Sequence, residues 1–203
     1  MIQAGTLFEY LAAFISIVLA IAVGDLAMSV HRLLRARRRV IWHPIPILAA
    51  FWVLLVLLAS FFAIWEWTAL DHLDFYGLLW KFAPMFLYFL AASAILPDEV
   101  PTQKLDLYDF YLSERAYFLP VLILGFVLDN AGRVAERWSY ISTHPAFAWG
   151  YVMPLAVGSL GSLAAMLWRT EKWVHWIALG VLFACAHVGF SGWKIEGASA
   201  VVG

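Results

Sequence analysis

The sequence predicts an all-α polytopic membrane protein: one domain of six transmembrane helices with both termini outside. Three observations carry this reading: the composition, the length of the apolar runs, and the placement of arginine and tryptophan. The chain has 203 residues, of which 64% are hydrophobic and 13% charged, with a mean hydropathy of +0.83. A soluble domain sits nearer half apolar and a quarter charged. The charges fall in short clusters between long apolar runs, as in chains that cross a bilayer repeatedly. The net charge of −1 and the lack of a basic tail give no case for a nucleic-acid partner. The partner that the composition implies is the lipid bilayer, and a homo-oligomer is left open.

Spanning the hydrocarbon takes about 20 residues. Six runs qualify, at about 7–31, 45–70, 75–96, 116–138, 146–168 and 173–193. "AAFWVLLVLLASFFAIW" in the second has no strand-like alternation, so the runs satisfy their backbones as helices. The flank before the first run is nearly neutral and the one after it strongly basic, the reverse of a signal peptide. Between runs three and four lies "LPDEVPTQKLDLYDFYLSERAYFLP". Its stretch at about 97–115 is too short to span and is expected at the cytoplasmic interface. Span five repeats Gly150, Pro154, Gly158 and Ser162 on one face, a seam for close helix packing. Pro84 and Pro154 each remove a backbone donor, so kinks are expected there.

"HRLLRARRRV" puts Arg32, Arg35, Arg37, Arg38 and Arg39 between spans one and two. Positive residues stay on the cytoplasmic side, which fixes that loop inside and sends both termini out. Tryptophans agree, since they favour the interfaces. Trp42, Trp168, Trp173 and Trp176 fall at the inner one, and Trp65, Trp67, Trp80, Trp138, Trp149 and Trp193 near the outer one. An anionic-lipid role for the arginines is the competing reading, but topology accounts for them. Cys185, the only cysteine, precludes an intrachain disulfide and reads as a small buried hydrophobe.

Taken with "FEYLAAFISIVLAIAVGDL" and the arginine run, the acidic "LP" loop and "SERAYF" resemble a family of small bacterial inner-membrane proteins. That family has an "EYLA" first helix, a basic loop, a Trp-rich second helix and an acidic loop leading to arginine and aromatics. "SERAYF" has one arginine where the family pattern has a pair. The resemblance implies the fold and a multi-pass place in the bacterial inner membrane, and no activity.

"LILGFVLDNAGRVAERWSY" sets Asp129 and Asn130 inside the fourth span. An ionised acid near mid-bilayer costs about 2.5–3.5 kcal/mol on insertion scales, so Asp129 should face protein or water. Asp129, Arg133 and Glu136 share one helical face. Lys81 and His187 lie about 7 and 6 Å outward of their own span centres at the helix rise per residue, and Glu66 stands near the outer end of span two. Asp129, Asn130, Arg133, Lys81, His187 and Glu66 could therefore converge on one outward-opening cavity. The plainer alternative pairs Asp129 with Arg133 or Lys81 to hold helices together. Asp25, on the cytoplasmic side of span one, is either bonded to Ser29 with help from Arg32 or part of an inner ion or proton site. Asp25 precedes His43-Pro44, and Asp129 precedes His144-Pro145, in helices of opposite sense. An inverted repeat of three helices would do this, as would two ordinary His-Pro helix starts.

These residues favour a channel or transporter for an ion, proton or small solute, with no resident cofactor or metal and no catalytic residue. Two alternatives stand beside it. His175 and His187, about 18 Å apart on one helix, could serve a haem b redox subunit. The "LDLYDFYL" segment, through Tyr108 and Phe110, could dock a partner of a non-catalytic assembly protein.

Overall fold

The structure is a computed structural model that describes residues 4–64 and 75–190, with side chains for 9–64 and 76–190. Six helical stretches are long and apolar enough to cross a membrane. They are α1 (Ala4–Arg35), α2 (Pro44–Ala63), α3 (Phe75–Ile95), α4 (Leu107–Glu136), α6 (Pro145–Trp168) and α7 (Lys172–Phe190). A seventh, short helix, α5 (Trp138–Thr143), links α4 to α6. The all-α fold is as the sequence predicts. Glu66, Trp65, Trp67, His72 and Trp193 lie outside the described residues.

Local chemistry sets the helix starts. His43 precedes Pro44 at the N-terminus of α2, and its Nδ1 accepts from the Ile45 N–H at 3.3 Å, a cap followed by the residue best suited to a first turn. Asp106 caps α4, accepting from the Tyr108 and Asp109 N–H groups at 2.9 and 3.2 Å. This strong cap explains why α4 begins at Leu107, ahead of the apolar run at 116. Residues 107–115 are thus the first turns of α4. Leu107, Tyr108 and Tyr111 are buried there and serve the core, while Phe110 is partly exposed. Two short strands, β1 (Val40–Ile41) and β2 (Leu105–Asp106), pair in parallel and tie the link after α1 to the start of α4. In α6, Pro154 has no N–H to give the preceding turn, and residues Ala148–Val152 are π-helical, a local widening that accommodates the lost bond.

α3 and α4 form the tightest pair. The reason is two glycines: a Cβ on Gly125 would lie 2.8 Å from the Tyr88 ring, and one on Gly132 would lie 2.6 Å from Trp80 Nε1. The span-five seam is used in part. A Cβ on Gly158 would lie 3.1 Å from Cys185 Sγ, while Gly150 faces open space.

Packing is uneven along the bundle. Ile45, Ile95, Leu96, Phe118 and Leu179 are buried towards the end that carries the arginine loop. At the opposite end α4, α6 and α7 bury far fewer side chains. The two halves also pack differently. α1 packs on α2 and α3, whereas α4 packs on α6 but barely meets α7. His43 caps its helix, but His144 makes no capping bond and instead stacks on Tyr140, their ring centroids 4.2 Å apart. These differences favour two ordinary helix starts over an inverted repeat.

Candidate functional site

The space that keeps α4 from α7 is a chamber of about 280 Å³. Its polar wall includes Ser60, Tyr88, Asp129, Asn130, Arg133 and Arg137, and its apolar wall includes Trp52, Val56, Phe126, Leu155 and Leu182. A second hollow of about 40 Å³, between α3 and α4, is lined by Trp80, Lys81, Pro84, Gly132 and Glu136 among others. That volume holds a few waters. Ser60, Tyr88, Asp129 and Arg133 line both hollows and so form the partition between them.

The helical period of α4 explains the partition. Gly125, Asp129, Gly132 and Glu136 follow a 4-3-4 spacing and face α3; Phe126, Asn130, Arg133 and Arg137 follow the same spacing one residue on and face the chamber. Arg133 Nε donates to both Asp129 oxygens, at 3.2 and 3.3 Å, and the two side chains are about one-third exposed. Asn130 donates to the Phe126 carbonyl at 2.8 Å and Ser60 to the Val56 carbonyl at 2.9 Å. Across the chamber, Trp52 Nε1 donates to the Leu182 carbonyl at 3.2 Å and anchors α2 to α7. The Tyr88 hydroxyl is different. Tyr88 is 1% exposed, and its hydroxyl makes no hydrogen bond among the described residues, although the Asp129 carboxylate is its nearest charged neighbour. The Ser159 hydroxyl, also on the chamber wall, makes no hydrogen bond among the described residues.

The sequence-derived residues distribute as follows. Asp129, Asn130 and Arg133 reach the chamber, and Lys81 reaches the smaller hollow. Lys81 does not pair with Asp129: its Nζ bonds Glu136 Oε1 at 2.5 Å, with the lysine side chain 11% exposed. α3 and α4 run antiparallel, with Trp80 over Gly132 and Tyr88 over Gly125, which puts Lys81 close to the level of Gly132 and Pro84 close to that of Asp129; from there the lysine side chain reaches outward to Glu136. His187 does not join the site. It is exposed on the opposite face of α7, in a shallow hollow with Leu55, Phe183 and Phe190. Asp25 is partly buried and bonds neither Ser29 nor Arg32. Both of those go to Asp98, Ser29 Oγ at 3.3 Å to its carboxylate and Arg32 at 2.9 Å to its carbonyl. The Asp25 carboxylate makes no hydrogen bond or ion pair among the described residues. Glu66 lies outside them.

His175 is fully buried, and both its ring nitrogens are engaged. Nδ1 meets the Tyr111 hydroxyl and Nε2 the Arg169 carbonyl, each at 3.0 Å. The carbonyl can only accept, so Nε2 carries the proton and Nδ1 accepts from Tyr111. No lone pair is left for an iron. Among the described residues no three His, Cys, Asp or Glu side chains gather as a metal site.

Sequence reasoning missed Tyr88, Ser159 and Arg137, and the glycines that seat Tyr88 and Trp80. An i, i+7 pair of glycines around an intramembrane acid was the available signal. The chain matches no protein-family model, no curated protein and no solved structure. The likeness noted from its motifs therefore lends no residue a role, and the functional argument rests on the chamber alone.

Proposed function

We propose that this protein is a small channel or transporter for an ion, proton or small solute, with the chamber at Asp129, Arg133 and Tyr88 as its binding site. The observation that carries the reading is the Tyr88 hydroxyl, buried and without a partner at the partition between two hollows. A buried polar group left unpaired costs about 1–3 kcal/mol. A sequence selected for stability alone would place phenylalanine there. The hydroxyl is retained because something that enters the chamber bonds it. Asp129 beside it is the protonatable group, and Arg133 sets its charge.

In this reading the protein sits in a bacterial inner membrane with the arginine link inside, and the chamber end of the bundle faces out. With Cys185 replaced by alanine, a cysteine at Arg37 is shielded from membrane-impermeant reagents in intact cells, and one at Ser142 is labelled. The reverse pattern overturns the orientation. The functional test is flux in proteoliposomes under a pH gradient. Asp129→Asn keeps the fold and abolishes pH-dependent flux; a variant with undiminished flux refutes the proposal.

A further inference from the structure

We infer that the end of α1 and the turn after it bind the phosphate head of an anionic membrane phospholipid, at a site separate from the chamber. An open hollow of about 400 Å³ lies there, lined by Arg32, Arg35, Arg39, Asp98 and Glu99 among others. Topology accounts for the number of arginines in this link, but not for where they stand. Two are spent within the protein. Arg32 donates to the Asp98 carbonyl at 2.9 Å and lies 3.6 Å from its carboxylate, and Arg39 donates to the Pro101 carbonyl at 3.4 Å. Arg35, Arg37 and Arg38 are exposed and make no side-chain hydrogen bond or ion pair among the described residues. Asp98 is thus answered by Arg32, and Glu99 is the other acid of the hollow. Three arginines line it against these two acids, and Arg37 and Arg38 flank it. A field of that sign draws an anion. A bare helix end would repel one with its carbonyls. Here the Arg32, Leu34, Ala36 and Arg39 carbonyls accept from the Ala36, Arg37, Arg39 and Leu105 N–H groups. The anion therefore meets guanidiniums, whose forked donors match a pair of phosphate oxygens.

Position selects a lipid as the source of that phosphate. Ile17, Ile21, Gly24, Met28, His31 and Arg35 are exposed and follow one another at steps of three or four residues, so they share one face of α1. The middle of that face meets acyl chains. Arg35, about 10 Å beyond Met28 along the axis, stands on the same face at headgroup depth, and it also lines the hollow. Leu34, with Ile41 and Trp42 just after the turn, is about half exposed, as they are. These side chains give the glycerol and upper chains an apolar and aromatic contact, as tryptophan does at membrane interfaces. The pairing of β1 with β2 ties the far side of the turn to the start of α4, so the arginines project from an anchored turn.

The test uses the full-length protein in phosphatidylcholine vesicles containing spin-labelled phosphatidylglycerol. The motionally restricted part of the spectrum gives its preference over spin-labelled phosphatidylcholine. The wild type prefers phosphatidylglycerol about fivefold or more, the increment that one arginine beside an anionic head supplies. Arg35→Gln with Arg38→Gln lowers the preference to about twofold or less. Arg169→Gln with Lys172→Gln removes the same charge from the link between α6 and α7 and leaves the preference near the wild-type value. No preference in the wild type overturns the site, and that measurement does not depend on how any variant folds. Equal losses in the two double variants overturn it as well, leaving only diffuse charge. Displacement of the labelled lipid by millimolar glycerophosphate at constant ionic strength overturns the lipid and makes the hollow a site for soluble phosphates.

Discussion

Tyr111 and Tyr88 are both buried, Tyr111 at the closed end of the bundle and Tyr88 near its middle at the foot of the chamber, and their hydroxyls have opposite fates. Tyr111 bonds His175, His175 bonds the Arg169 carbonyl, and Tyr108 bonds the Thr170 carbonyl at 2.9 Å. That end is closed, and its polar groups act as rivets between α4 and the link before α7. Tyr88 stands over a glycine beside an ion pair, with a hollow on either side and no bond to its hydroxyl. Burial alone therefore does not separate a structural polar group from a functional one. Whether its hydrogen bonds close within the protein does.

The contrast rests on α3 and α4 holding their register, so the largest effect is expected from Gly125→Leu. Its side chain would drive into the Tyr88 ring and part the helices, at a cost of about 3 kcal/mol by overpacking, read as a lowered unfolding midpoint in detergent. Next comes the same chemical change at both tyrosines. Tyr111→Phe strips His175 Nδ1 of its partner and costs about 1–2 kcal/mol. Tyr88→Phe removes a group that was unpaired and leaves stability within about 0.5 kcal/mol, or raises it. Equal losses at the two positions would erase the distinction between them.

A smaller effect tests the pairing. A double-mutant cycle between Lys81 and Glu136 gives a coupling of about 0.5–1 kcal/mol, since half of the Glu136 side chain is exposed. The corresponding cycle between Lys81 and Asp129 gives less. The smallest effect is at His43, on the closed end. Burial, and secondarily the Lys172 ammonium, lower its pKa from 6.5, with Asp106 opposing. Its capping bond also needs a bare Nδ1. The unfolded chain therefore takes up the proton first, so stability falls as pH drops below about 6.5 and is unaffected above it. Asn caps without titrating, so His43→Asn flattens the pH dependence of the unfolding midpoint between pH 7 and 5.

The six spans were legible because bilayer thickness dictates run length, whatever the packing. Asp129 and Arg133 were legible because intramembrane charge is costly and helical spacing is fixed. Lys81 went to Glu136 because depth counted along one helix does not say in which direction a long side chain reaches, and that follows from how α3 and α4 meet at Gly125 and Gly132. Tyr88 was hidden for a different reason: an aromatic in an apolar run looks like core, and an unmade hydrogen bond leaves no mark in a sequence. His187 and Asp25 drew notice by residue type, yet a helix has a far side, and His187 is on it.

The two-residue strand pair has a consequence for how the protein is made. Val40 and Ile41 pair with Leu105 and Asp106, and the Leu105 N–H bonds the Arg39 carbonyl at 2.9 Å. The second strand leaves the ribosome only after α1, α2 and α3 have done so. The clasp therefore cannot fasten until three helices have been threaded into the bilayer. Its closing also brings Asp106 into place at the head of α4, so the early half of the chain becomes the mould on which the late half is cast.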